Sequence, residues 1–187
     1  METNRRWIMA GLLSASLLNV AQAATLTIDP AHSAVTFSVS NLGVHRVHGR
    51  FKTWTGHIEF DPSALTQSRV EVTIQADSID TAIPKRDHHL RSRDFFDVAH
   101  FPPITYTSQS VEVMGNQYRM IGVLTIKGVS KPVPVTFTFQ TSVGPDSKVH
   151  LKAHGQTSVT REDFDLRYGN GFMIGHKVLI DLSIEAS

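Results

Sequence analysis

Ten histidines in a chain that has no cysteine are the first residues to weigh for chemistry. Imidazole ligates transition metals and moves protons near neutral pH. The spacing offers no tight ligand set. His45 and His48 would share one side of a helical turn, but Gly43 and Gly49 flank them and a strand pattern follows, and on a strand this spacing sends them to opposite faces. His88 and His89 are adjacent and cannot share a helix face. Solvated or hydrogen-bonded histidines are the plain reading, with no metal ligand assigned; a histidine-based metal or haem carrier stands as an alternative function. The missing cysteine excludes disulfides, thiol nucleophiles, thiolate metal sites and lipid attachment through an N-terminal cysteine. G-x-S-x-G, H-E-x-x-H and G-x-x-x-x-G-K-[ST] are also absent. Gly169-Asn170-Gly171 and Gly175-His176-Lys177 lead into a strand rather than a helix, which argues against a phosphate loop. An enzyme built on Asp94 or a histidine would need paired acid and base groups, and no spacing pairs them. No catalytic residue and no cofactor is assigned, and a lumen hydrolase or isomerase stands as a competing reading.

Two constellations remain. Arg86, Asp87, His89, Arg91 and Asp94 put both charge signs into one short segment. They form either a surface ion-pair network that holds a loop or a polar rim that meets a ligand head group at a cavity mouth. Asp94 beside Phe95 and Phe96 favours a paired role, since a carboxylate next to packed rings is costly unless compensated. The second set is apolar: Phe37, Val39, Phe51, Trp54, Ile58, Val72, Ile74, Phe95, Phe96, Phe101, Ile104 and Tyr106. It makes either a solid core or the lining of a ligand tunnel.

The elements that must position both sets are strands. Val35, Phe37 and Val39 alternate with polar residues, as do Val70, Val72 and Ile74, and Val133, Val135, Phe137 and Phe139; this is the period of half-buried strands. Further strands are expected over residues 49–60, 104–113, 118–126, 148–159 and 178–184, separated by Asp61-Pro62-Ser63, Gly115-Asn116, Lys127-Gly128 and Gly144-Pro145-Asp146 turns. Counted from Thr25 this makes eight or nine strands in an antiparallel meander, which must close into a barrel or split into a sandwich. Residues 84–101 break the pattern. Pro84 suits a first helical position, Ser92 could cap a second helical turn, and Pro102-Pro103 stops it, so one or two short helices are expected over one end, with Leu90, Phe95, Phe96, Val98 and Phe101 facing inward.

The chain has 187 residues, 41% of them hydrophobic and 19% charged, which suits one globular domain. Arg5 and Arg6, the uncharged run from Trp7 to Val20 and Ala21-Gln22-Ala23 read as a signal peptide over residues 1–23, leaving 24–187 as a single domain. The apolar run is short of the roughly 20 residues that span a bilayer, so no permanent membrane anchor is expected. Losing Arg5, Arg6 and Glu2 from 18 basic and 17 acidic residues leaves sixteen of each. A neutral domain argues against nucleic acid as partner. The expected compartment is the periplasm, with secretion to the medium as the alternative.

Several stretches resemble the YceI-like family of periplasmic polyisoprenoid-binding proteins, over essentially all of residues 24–187. They are Ile28-Asp29-Pro30-Ala31-His32-Ser33, Leu42-Gly43-Val44, Val47-His48-Gly49-Arg50-Phe51, Ser78-Ile79-Asp80-Thr81, residues 86–97, residues 122–129 and Arg161-Glu162-Asp163-Phe164. Asp165 stands where the family usually has Gly, and Asn41 where His commonly precedes Leu-Gly. The resemblance implies an all-β, lipocalin-like antiparallel β-barrel of about eight strands with one or two short helices at one end, whose tunnel holds a long isoprenoid without catalysis. Physics is compatible: strands of about 10 residues tilted by about 40° give a barrel about 25 Å tall. At about 0.8 kcal/mol per buried CH₂, ten carbons give only about 8 kcal/mol gross, so a ligand of about twenty or more carbons is expected. The partner is then a long-chain isoprenoid such as a polyprenyl or isoprenoid quinone, with fatty acid or fatty amide as the alternative, and at most a second copy in a homodimer.

Overall fold

The computed structural model describes residues 23–145 and 147–187; the expected signal segment lies outside the described residues apart from Ala23. Eleven strands form one antiparallel sheet: β1 Ala24–Thr27, β2 Ala34–Asn41, β3 His45–Phe51, β4 Trp54–Phe60, β5 Arg69–Gln75, β6 Ile79–Asp80, β7 Pro103–Met114, β8 Gln117–Ile126, β9 Val129–Val143, β10 Val149–Thr160 and β11 Ile174–Ala186. Their order is β1-β4-β5-β7-β8-β9-β10-β11-β2-β3-β6. The sheet curls on itself. Ile28 bridges Ala186, and Thr27 and Ser187 exchange N–H···O bonds of 2.9 and 3.1 Å, which carries the β1 edge back to the end of β11.

The strand count exceeds the expected eight for a local reason. Residues 49–60 alternate well enough to read as one strand, yet the chain bends at Lys52-Thr53: the Lys52 N–H donates to Ser78 O at 3.2 Å and Thr53 O accepts from Gln75 N–H at 3.0 Å. The bend separates β3 from β4. It also leaves room for the two-residue β6, which pairs with Arg50 and Phe51 and is too short to show a period.

Among the described residues there is one α-helix, α1 Pro84–Arg91, with Pro84 in its first turn as the fixed proline φ favours. The second expected turn of helix does not form. Ser92 is extended and caps the end of α1, donating from its N–H and its Oγ to His89 O, and residues 93–100 continue as turns. Three short 3₁₀ turns, Leu65–Gln67, Ala76–Ser78 and Arg161–Phe164, complete the described residues.

The end covered by α1 and residues 92–101 holds one core cluster, in which Phe95, Ile104, Leu124, Ile126, Phe164 and Leu166 are buried. The other end is filled by Leu26, Ile28, Trp54, Ile58, Phe60 and Leu151. Lys127 and Gly128 close the β8–β9 hairpin with both φ angles positive, at 50° and 75°. This is the tight turn whose twist matches its strands. A Cβ on Gly128 would sit 2.8 Å from the Phe101 ring, so backbone and ring meet there closely.

Candidate ligand cavity

A third cluster, Val111, Met120 and Val135 with Val70 and Leu182 packed against it, joins the other two, and between them the inward faces of the strands leave open space. They enclose a cavity of about 280 Å³, near the lower end of ordinary small-molecule sites. Its wall follows from strand alternation. On β10, Leu151, Ala153, Gly155, Thr157 and Val159 point in while Lys152, His154 and Gln156 point to water. Ala153 and Gly155 are the smallest side chains of that row and help to keep the lumen open where Phe139 and Phe137 lie beside them.

Of the twelve apolar residues singled out from sequence, eleven line the cavity: Phe37, Val39, Phe51, Trp54, Ile58, Val72, Ile74, Phe95, Phe96, Ile104 and Tyr106. Phe101 does not. Pro102-Pro103 turns the chain into β7 just after it, and its ring lies over Gly128 outside the lumen. Several of the wall's hydroxyls bond to backbone. Tyr106 donates to Val133 O at 3.1 Å and Thr157 to Pro134 O at 2.6 Å. Burial pushes the Tyr106 phenol well above its usual range, so it stays neutral. The lumen therefore presents methyl groups and rings.

The five charged residues expected at a head-group rim do not line the cavity. Arg86 donates from Nε to Thr81 Oγ1 and from Nη2 to Thr81 O, both at 2.7 Å. Asp87 is buried and accepts from Thr81 N–H at 2.9 Å and Thr81 Oγ1 at 2.5 Å. Arg91 donates to Asp77 O and Ile79 O. These three side chains fasten α1 to β6, whose short ladder leaves backbone groups that helix side chains satisfy. His89 pairs with Asp94 at 2.9 Å and stands edge-on to Phe95 and Tyr168. The compensation expected for Asp94 is thus an imidazole. His32, His57, His100 and His176 likewise each pair with a carboxylate, and no group of three metal-ligating side chains occurs among the described residues.

One charged residue does reach the cavity wall, and sequence reasoning assigned it no role. Arg161 is 3% exposed. Its guanidinium donates to the carbonyls of Leu166, Tyr168, Gly169, Ile174 and Gly175, and Nη2 lies 2.9 Å from Glu162 Oε1. The planar five-donor fork suits this task. It gathers residues 165–175 into a loop over the cavity end, with Leu166 and Ile174 facing the lumen. Asp165 adopts the left-handed conformation at φ 57°, which explains why glycine suits that place. The available signal was an arginine followed closely by a glycine-rich stretch with few side chains able to answer its backbone.

Glu162 also accepts from His176 Nδ1 at 2.7 Å, while its Oε2 is buried without a hydrogen-bond partner. Burial works to raise this carboxyl, but the hydrogen bonds from its own backbone and from His176, with the Arg161 charge, outweigh it and hold the group below the usual carboxylate range. A carboxyl lowered on folding contributes stability above its unfolded pKa and loses it as pH falls through the folded one. Acidification below about pH 4.5 should therefore lower the thermal midpoint of the native protein more than that of Glu162→Gln. Parallel melting curves for both proteins would refute this account of the pair.

This fold has counterparts among known proteins. A UPF0312 protein of Shewanella denitrificans is 36% identical over 187 residues, covering 97% of each chain. Among solved structures, Burkholderia cenocepacia BcnA matches with a TM-score of 0.78 at 25% identity, over 86% of this chain and 99% of its own. A Saccharophagus degradans domain described as polyisoprenoid-binding and implicated in plant cell wall breakdown shares the fold, with a TM-score of 0.68 at 17% identity over 89% of this chain and 99% of its own. The family described as the YceI-like domain matches residues 26–186, the stretch that forms all but the first residues of the curled sheet; the chain belongs to the YceI-like domain family.

Proposed function

We propose that the protein is a non-enzymatic carrier that holds one long hydrocarbon chain, an isoprenoid with an uncharged end, inside the curled sheet. The observation that carries this reading is the wall of the cavity: overwhelmingly rings and methyl groups, with the Tyr106 and Thr157 hydroxyls bonded to backbone. Such a surface recognises hydrocarbon and little else. Arg161 is the only cation on the wall among the described residues, and its donors are committed to carbonyls. An acid or a pyrophosphate would have to bury its charge without a partner, at a cost of several kcal/mol. The polyisoprenoid-binding description of the S. degradans neighbour supports the same ligand class. The proposed compartment is the periplasm, on the strength of the export signal read in residues 1–23.

Organic extraction of the purified protein followed by mass spectrometry tests this. The expected result is a prenyl alcohol or isoprenoid quinone at about one per chain. An extract without lipid, together with no uptake of prenyl alcohol or quinone delivered from detergent, would overturn it. Preferential recovery of fatty acid or fatty amide would replace the isoprenoid by the alternative ligand.

A further inference from the structure

Resting on the lipid-carrier reading, we infer that the loop-covered end of the sheet docks on an anionic lipid bilayer. Two loops make the contact: the β2–β3 turn with Leu42 and Val44, and the loop held by Arg161 with Tyr168, Phe172 and Met173.

These five apolar side chains are exposed, Val44 by 82% and Phe172 by 70%. They belong to one surface. The Leu42 N–H donates to Met173 O at 3.2 Å, and the Phe172 ring lies against Gly43. Tyr168 joins them to the cap through Phe95, its ring centroid 5.1 Å away. Scattered exposed apolar residues need no explanation, but a group of rings and aliphatic tips on two fastened loops does.

Charge identifies the occupant. Residues 41–50 and 166–177 contain Arg46, Arg50, Arg167, Lys177, His45, His48 and His176, and no Asp or Glu. Asp80, Asp165 and Glu162 pair with Arg50, Arg167 and His176 from outside these segments. Arg46 donates to the Ser38 hydroxyl, and neither it nor Lys177 has a carboxylate partner among the described residues. Apolar tips flanked by cations form the pattern of an interfacial lipid contact, in which the tips enter the headgroup boundary and the cations meet anionic lipid. The position also fits transfer. Leu166 and Ile174 of the same loop line the lumen, so a loop seated in lipid lies between the bilayer and the cavity.

The test is flotation of the full chain with vesicles of phosphatidylethanolamine and phosphatidylglycerol, against vesicles of phosphatidylcholine alone. The native protein should float with the anionic vesicles, less so at high salt. Val44→Ser with Phe172→Ser should weaken binding by at least about tenfold, and Arg46→Gln with Lys177→Gln should remove the preference for phosphatidylglycerol. Uptake of prenyl alcohol from detergent, measured on the same proteins, should be unchanged. No flotation of the native protein, or equal flotation of the serine variant, overturns the docking proposal while that uptake leaves the carrier reading standing. Failed uptake by the native protein overturns the carrier reading by itself. Concentration-dependent dimerisation in solution that the serine variant abolishes would assign the surface to a second copy and also overturn lipid docking.

Discussion

Arg161→Gln is expected to lower stability by about 3 kcal/mol and to free the loop over residues 165–175, the largest effect of any single side chain in the lid. The native guanidinium serves five carbonyls and one carboxylate from a position with almost no access to water. Glutamine can donate to two of them at most. Removing one member of a buried charged pair costs about 3–5 kcal/mol, because the other stays buried and uncompensated. Glu162, whose side chain is 26% exposed and keeps its hydrogen bond from His176, would be left only partly uncompensated. The estimate sits at the lower bound because the loop can open and let water reach the carbonyls. At about 2–4 °C per kcal/mol for a chain of this size, the thermal midpoint should fall by about 6–12 °C. Arg161→Lys should rescue little of it, since an ammonium cannot span carbonyls that diverge in the plane of a guanidinium. Amide exchange separates this from general damage: amides of residues 166–173 should exchange much faster in the variant while those of β7 and β8 barely change. A midpoint within about 2 °C of native, with the loop still protected, would mean that the carbonyls find other partners and that the clamp is dispensable.

The contrast between this residue and the cavity wall marks what was legible in the sequence. Alternation is a local property, and where one face of a strand meets the lumen and the other meets water it writes itself into every second residue. Phe37 and Val39, and Val72 and Ile74, could therefore be placed on the inner face by counting, as the structure places them. The two-strand nature of residues 49–60 depends on hydrogen bonds from Lys52 and Thr53 to residues more than twenty positions away, and no local period reports those. Arg86, Asp87 and Arg91 illustrate the same limit for charge. Their types fit a head-group rim and a brace equally well, and the unpaired backbone of β6 decided for the brace. Phe101 has the composition of a lining residue, but its place was set by the turn at Gly128.

Ala153→Phe should reduce affinity for a long prenyl chain by about a hundredfold while leaving the fold intact. Ala153 points into the lumen from β10, opposite Phe139 on one neighbouring strand and Ile184 on the other. A phenyl ring there fills the path beyond it and excludes roughly four chain carbons. At about 0.8 kcal/mol per CH₂ this removes about 3 kcal/mol of binding. The loss should depend on length: a short prenyl alcohol that ends before Ala153 should bind the variant and the native protein alike. Ala153 borders the cavity and also packs against the Leu26–Trp54–Leu151 cluster; a ring that turns into the open space leaves the midpoint at the native value. Should the ring prove too large, overpacking would appear as a lower midpoint, and Ala153→Leu then carries the test with a smaller plug and a proportionally smaller loss. A titration of prenyl alcohols of increasing length against the three proteins decides the matter. If both variants bind the longest chain as the native protein does, the hydrocarbon does not run past β10, and the carrier must hold its ligand only under the loop-covered end.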